Sequence, residues 1–139
     1  MKRIYTFGHE QVKRNITVGD IIENKNNNVK MTQVTAANQE EAEIIASQEI
    51  DMIITGSDWY QDVRKGAPNT FITAALFAGR FITHEEILRG AFDVMMAGAD
   101  SVLTPRSFDV VEMLAKEGMQ VQGHVLSLIH ISEPTRRKR

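Results

Sequence analysis

The chain has no cysteine, three prolines, one tryptophan and two tyrosines in 139 residues. Without cysteine there is no disulfide framework and no thiolate zinc site. No apolar run approaches the roughly 18 residues of a membrane-spanning helix, and no basic-then-apolar leader opens the chain. The expectation is a cytoplasmic protein with no membrane partner. No glycine-rich phosphate loop follows a β-prone run, and no histidine pair has zinc spacing. What is present is 42% hydrophobic and 24% charged residues in a chain the size of one domain, the balance of a soluble globular protein. The net charge of −2 is uneven: Arg136, Arg137, Lys138 and Arg139 against Glu133 give residues 126–139 a charge of +3, leaving −5 on residues 1–125. That body does not match nucleic acid electrostatically.

Short β-prone runs recur at 32–36, 51–55, 70–76, 101–104 and 119–123, with helical patterns in most of the intervals, and such alternation predicts a parallel sheet. Helix starts are marked by polar caps with an acid three residues on: Thr17 with Asp20, Asn38 with Glu41, Thr83 with Glu86. The helix after Thr83 carries Ile87, Leu88, Ala91, Phe92 and Met95 at helical spacing, with Gly98 as its stop. A further helix is expected from Ser107 to about Lys116 with Val110, Val111 and Leu114 on one face. The segment "GSDWYQDVRKGAPN" is too short for a full crossover helix and predicts one or two helical turns and a loop. Right-handed β/α units either open into a doubly wound sheet or close into a barrel, and periodicity does not choose between them. The seven methionines fall in the helical stripes and strands, where they serve packing.

The ordered elements "ITVGDIIENK", "VTA", "IDMIITG", "VRKGAPN", "GAD" and "QGH" resemble the N-terminal half of the ketopantoate (3-methyl-2-oxobutanoate) hydroxymethyltransferase family, over about residues 16–125. "RKGAPN" before a β-run is the most specific of them. The resemblance implies a (β/α)₈ TIM barrel of the phosphoenolpyruvate mutase and isocitrate lyase superfamily, truncated here to about its first five strands. It further implies transfer of a hydroxymethyl group from methylenetetrahydrofolate to a 2-oxo acid in pantothenate biosynthesis, by a homo-oligomer that binds Mg²⁺.

Abstracting a proton beside the carbonyl of a keto acid makes an enolate, and a chelated Mg²⁺ would stabilise the charge arriving on oxygen. Mg²⁺ takes hard oxygen ligands, so carboxylates are expected at the C-terminal ends of barrel strands. The family's Asp, Asp and Glu positions align with Ser57, Ala75 and Pro105, and its substrate lysine with Leu103. Asp58 beside Ser57 is the one metal candidate left, or else a loop residue or helix cap. Arg106 is positioned to clamp a carboxylate with two parallel hydrogen bonds, or is an exposed arginine ahead of a helix. His124 in "QGH" matches the family histidine and is the catalytic candidate, as acid or base. Ser57, Thr55 and Thr104 are neutral hydrogen-bonding candidates at the mouth. Trp59 and Tyr60 either wall a ligand or anchor the loop, and Asn69 beside Pro68 reads as a turn residue.

The last stretch departs from this pattern. "LSLIHISEPTRR" resembles the translation of transposase adapter DNA from sequencing libraries over Leu126–Arg136, so residues 126–139 are expected to be a non-native tail; the rival reading is a basic tail for nucleic acid or an acidic partner. The family's general base falls in the missing half, so the fragment is expected to be inactive as given. Two other functions stay open for the parent protein: a metal-independent oxo-acid lyase or hydrolase of the same superfamily, and a non-catalytic barrel that binds a small acid.

Overall fold

A computed structural model describes residues 1–124; residues 125–139, and with them the adapter-like tail, lie outside the described residues. The five β-prone runs become strands β3 (Gln33–Thr35), β4 (Met52–Gly56), β5 (Phe71–Ala75), β6 (Ser101–Thr104) and β7 (Val121–Gly123), which form one parallel sheet in chain order. Helices α2 (Gln39–Ala46), α3 (Tyr60–Gly66), α4 (His84–Met96) and α5 (Phe108–Lys116) fill the crossovers. The result is an α/β fold with a five-stranded parallel sheet flanked by helices.

The helix starts lie where the caps place them. Thr17 and Thr83 each accept a hydrogen bond from the backbone N–H three residues on, while Asp20 and Glu86 in turn accept one from the cap residue's own N–H. Asn38 caps α2 through the Glu41 N–H, but the Glu41 carboxylate turns instead to the N–H of Ala37. The segment after β4 forms a 3₁₀ turn at Ser57–Trp59 and then α3, which spans seven residues.

The pairing register sorts the strand residues onto two faces, because neighbours in a parallel ladder point to the same side and successive residues alternate. Ile53, Ile72, Ala74 and Val102 face the helices and join Val63, Ile87, Met95 and Leu114 in one buried core. The opposite face carries Gln33, Met52, Ile54, Thr73, Ala75, Leu103 and Gln122. The side-chain amides of Gln33 and Gln122 meet across it at 3.4 Å. They stand on the first and last strands of the sheet, which in a flat sheet would be separated by roughly 19 Å. The sheet is therefore strongly bent, and this second face is its hollow.

The first sixteen residues, to which the periodicity gave no element, contain an antiparallel hairpin, β1 (Lys2–Tyr5) with β2 (Gln11–Arg14). Its turn is tightened at His9, which has a φ of 66°. The hairpin leads into α1 (Val18–Asn26), whose Val18 and Ile21 cover the N-terminal end of the hollow. Beneath them a cavity of about 360 Å³ remains, lined also by Met52, Phe71, Thr73 and Gln122.

Candidate functional site

Two ends of the sheet compete for attention. The C-terminal ends of β4 to β7 form the rim on which the sequence places its candidates. Arg106 follows β6, and its guanidinium donates to the carbonyls of Phe81 (3.0 and 3.3 Å) and Ala78. It therefore crosses to the loop between β5 and α4. Asp58 approaches the same loop from the other side, where it forms an ion pair with Arg80 that is about half exposed at both partners. The following helix α3 has Trp59 at its N-cap and no side-chain cap, so Asp58 does not cap it. The two residues thus converge on one loop without touching each other.

The remaining candidates are more dispersed. Thr104 is buried and points to the helix side of the sheet, its hydroxyl accepting from the Arg106 N–H at 3.2 Å. Thr55 pairs in register with Ala74, so it too faces the helices, and its buried hydroxyl has no hydrogen-bond partner. The Ser57 hydroxyl is likewise buried and unpartnered, beside a cavity of about 220 Å³ that it shares with Asp58, Gln61, Arg80 and Asp93. His124 follows β7 directly and is exposed at the same end of the sheet. His84 is exposed in the first turn of α4. Of the two adjacent aromatics, Trp59 is partly exposed and meets Phe77 edge-on at 5.6 Å, while Tyr60 is buried in the core.

The donor set at the aligned ligand positions does not fit a divalent cation. Ala75 and Pro105 bring no side-chain oxygen, the Ser57 hydroxyl is a weak neutral donor, and the Asp58 carboxylate is engaged by Arg80. Among the described residues no three His, Asp or Glu side chains stand close enough to hold a metal ion.

A buried polar cluster lies at the opposite, N-terminal end of the strands. Asp100, the acid of "GAD", accepts from the Arg14 guanidinium at 2.8 and 2.9 Å, from Arg64 at 2.9 Å and from the Ile72 N–H at 2.9 Å. Arg64 belongs to "RKGAPN"; it also donates to the Tyr60 hydroxyl at 2.9 Å and to the carbonyls of Ala67 and Thr70. Arg14 reaches the carbonyls of Lys13, Pro68 and Gly98. Two cations surround one anion, and the surplus charge is spread over backbone carbonyls, as a buried guanidinium requires. Burial pushes the Tyr60 phenol above its ordinary pKa, against the pull of the neighbouring Arg64. Asn15 completes this end: its side chain bridges the Asp51 carbonyl (2.8 Å) and the Phe71 N–H (2.9 Å), while its own N–H donates to the Asn69 carbonyl.

Two of the six elements that carry the resemblance, "RKGAPN" and "GAD", thus supply structural ties at the N-terminal end of the strands. Arg64 and Asp100 were visible in the sequence as motif members. Arg14 carried no local signal, because its partners other than the Lys13 carbonyl lie 54 to 86 residues away.

No family model matches the chain. It is similar to the 3-methyl-2-oxobutanoate hydroxymethyltransferase of Deinococcus radiodurans, with 41% identity over 69 residues. That alignment takes in 45% of this chain and 24% of the relative, so the chain spans about a quarter of the curated protein it matches.

Proposed function

We propose that this chain is the N-terminal wall of a (β/α)₈ barrel descended from the 3-methyl-2-oxobutanoate hydroxymethyltransferases, whose hollow receives a small 2-oxo acid at the C-terminal rim. The observation that carries the reading is the coincidence of the partial match with the bend of the sheet. In an eight-stranded barrel the first and fifth strands stand opposite each other, and their inward side chains meet across the interior. Gln33 and Gln122 do so here. Methylenetetrahydrofolate as co-substrate, and assembly into a homo-oligomer, are carried over from the family as part of the proposal.

The described residues contribute the scaffold and part of the rim. His124 is the candidate acid or base, and Arg106 the candidate for holding a carboxylate once it exchanges its carbonyl partners for a charged one. Asp58, Ser57 and Thr104 complete the proposed set from the sequence, with Thr104 acting through the Arg106 backbone.

One observation favours a second reading. Since the aligned ligand positions lack carboxylates, metal-independent lyase or hydrolase chemistry, or plain binding of a small acid, also suits this rim. The test uses the full-length gene product in D₂O with 3-methyl-2-oxobutanoate and no folate. Exchange of the proton at C3, followed by NMR, is the expected result. Binding heat without exchange would move the assignment to the small-acid-binding barrel, and neither heat nor exchange would overturn both. Calorimetry with and without Mg²⁺ is expected to show no metal-dependent heat.

A further inference from the structure

We propose that Phe77 is the residue that shapes the mouth of the hollow between β4 and β5, and that Arg106 is a positioning residue that holds it there by strapping down the β5–α4 loop. The placement starts at Gly56. Gly56 pairs with Ala75 and, one step beyond Thr55, faces the hollow. A Cβ at Gly56 would lie 2.6 Å from the Phe77 ring and 3.3 Å from the Trp59 ring. The aromatic pair therefore lies directly on the backbone of the last residue of β4, in space that only glycine leaves open. An aromatic ring stands at this corner of the rim where the family resemblance places charged oxygen ligands.

The loop that carries Phe77 is tied from two sides. Arg106 grips the Phe81 and Ala78 carbonyls from the β6 side, and its own N–H is fixed by Thr104. Asp58 grips Arg80 from the β4 side. Phe81 is wedged against Gly90 of α4, 2.4 Å from where a Cβ would stand, and Arg80 lies over the Phe81 ring at 5.1 Å. Phe77 is 42% exposed and Ile82 60% exposed, whereas Leu76 is buried and Phe81 packs against the core, so apolar contacts hold the two flanks of the loop and leave its Phe77 tip open. The Arg106 bonds to the Ala78 and Phe81 carbonyls add a polar tie across that tip. A guanidinium bonded to neutral carbonyls can be drawn off by a carboxylate, which makes shorter and stronger bonds. The strap is thus built to respond to an anion at the rim. The placement of the ring does not depend on which acid the protein takes.

The chain supplies its own probes. Trp59 is its only tryptophan and touches Phe77, and Arg80 offers a tryptic site inside the strap. In the 139-residue chain, Arg106→Gln is expected to shift Trp59 emission to the red and to speed tryptic cleavage after Arg80 several-fold, with far-ultraviolet circular dichroism unchanged. Arg106→Lys, which keeps the charge and one bond, is expected to restore part of the protection. Gly56→Ala is expected to displace the ring and shift Trp59 emission while leaving Arg106 intact, so the placement of Phe77 can be judged even where Arg106→Gln fails to fold. Wild-type emission and wild-type cleavage at Arg80 in a folded Arg106→Gln protein would overturn the strap. Unshifted emission in Gly56→Ala would overturn the placement of the ring.

Discussion

Asp100 and its two arginines show how a single side chain ties elements distant in sequence. The carboxylate joins the hairpin through Arg14, α3 through Arg64 and β5 through the Ile72 N–H. Replacing one member of such a buried set leaves charges without partners, which costs about 3–5 kcal/mol. Asp100→Asn is therefore expected to lower the stability measured by urea unfolding by that amount; a loss under about 1 kcal/mol would show that the cluster behaves like a surface ion pair. Residue chemistry was legible only in part. The acid of "GAD" and the arginine of "RKGAPN" could be read as motif members, but not as partners, because spacing along the chain says nothing about contacts made by folding. Arg106 shows the same limit: its position after β6 was readable, whereas its grip on the Phe81 carbonyl depends on where a loop 25 residues earlier comes to rest.

At the scale of elements, the α4 cap predicts an acid response. The backbone N–H groups of Thr83 and Ile82 hold the Glu86 carboxyl below its ordinary value of 4.5. A depressed folded-state pKa contributes stability that is fully present above the unfolded value and is lost as pH falls through the folded one. Glu86→Gln is therefore expected to flatten the fall in melting temperature below about pH 4.5, and Thr83→Ala to cost about 1 kcal/mol near neutral pH. An acid limb of the same slope in Glu86→Gln would rule out this source. The elements themselves were the most readable part of the sequence. All five strands of the parallel sheet and the three capped helix starts arise from local patterns, β-prone runs and polar caps, that act within a few residues. The β1–β2 hairpin escaped because its strands are four residues long and mostly exposed, with no alternation of apolar and polar residues to mark them.

For the whole molecule, the bend of the sheet decides what the site can be. A flat sheet would scatter Asp58, Arg106 and His124 along an edge, whereas a bent one turns the strand ends toward a common mouth. Periodicity could not supply this, since open and closed α/β sheets share the same local pattern. Only the register of five strands and the contact between Gln33 and Gln122 reveal it. The absence of cysteine makes the bend directly measurable, because Gln33→Cys and Gln122→Cys introduce the only thiols. Spin labels at these two positions, studied by electron paramagnetic resonance, are expected to show strong dipolar broadening beyond the sum of the two singly labelled spectra. A doubly labelled spectrum equal to that sum would mean that the strands lie far apart across a flat sheet, and the hollow with its rim would not exist.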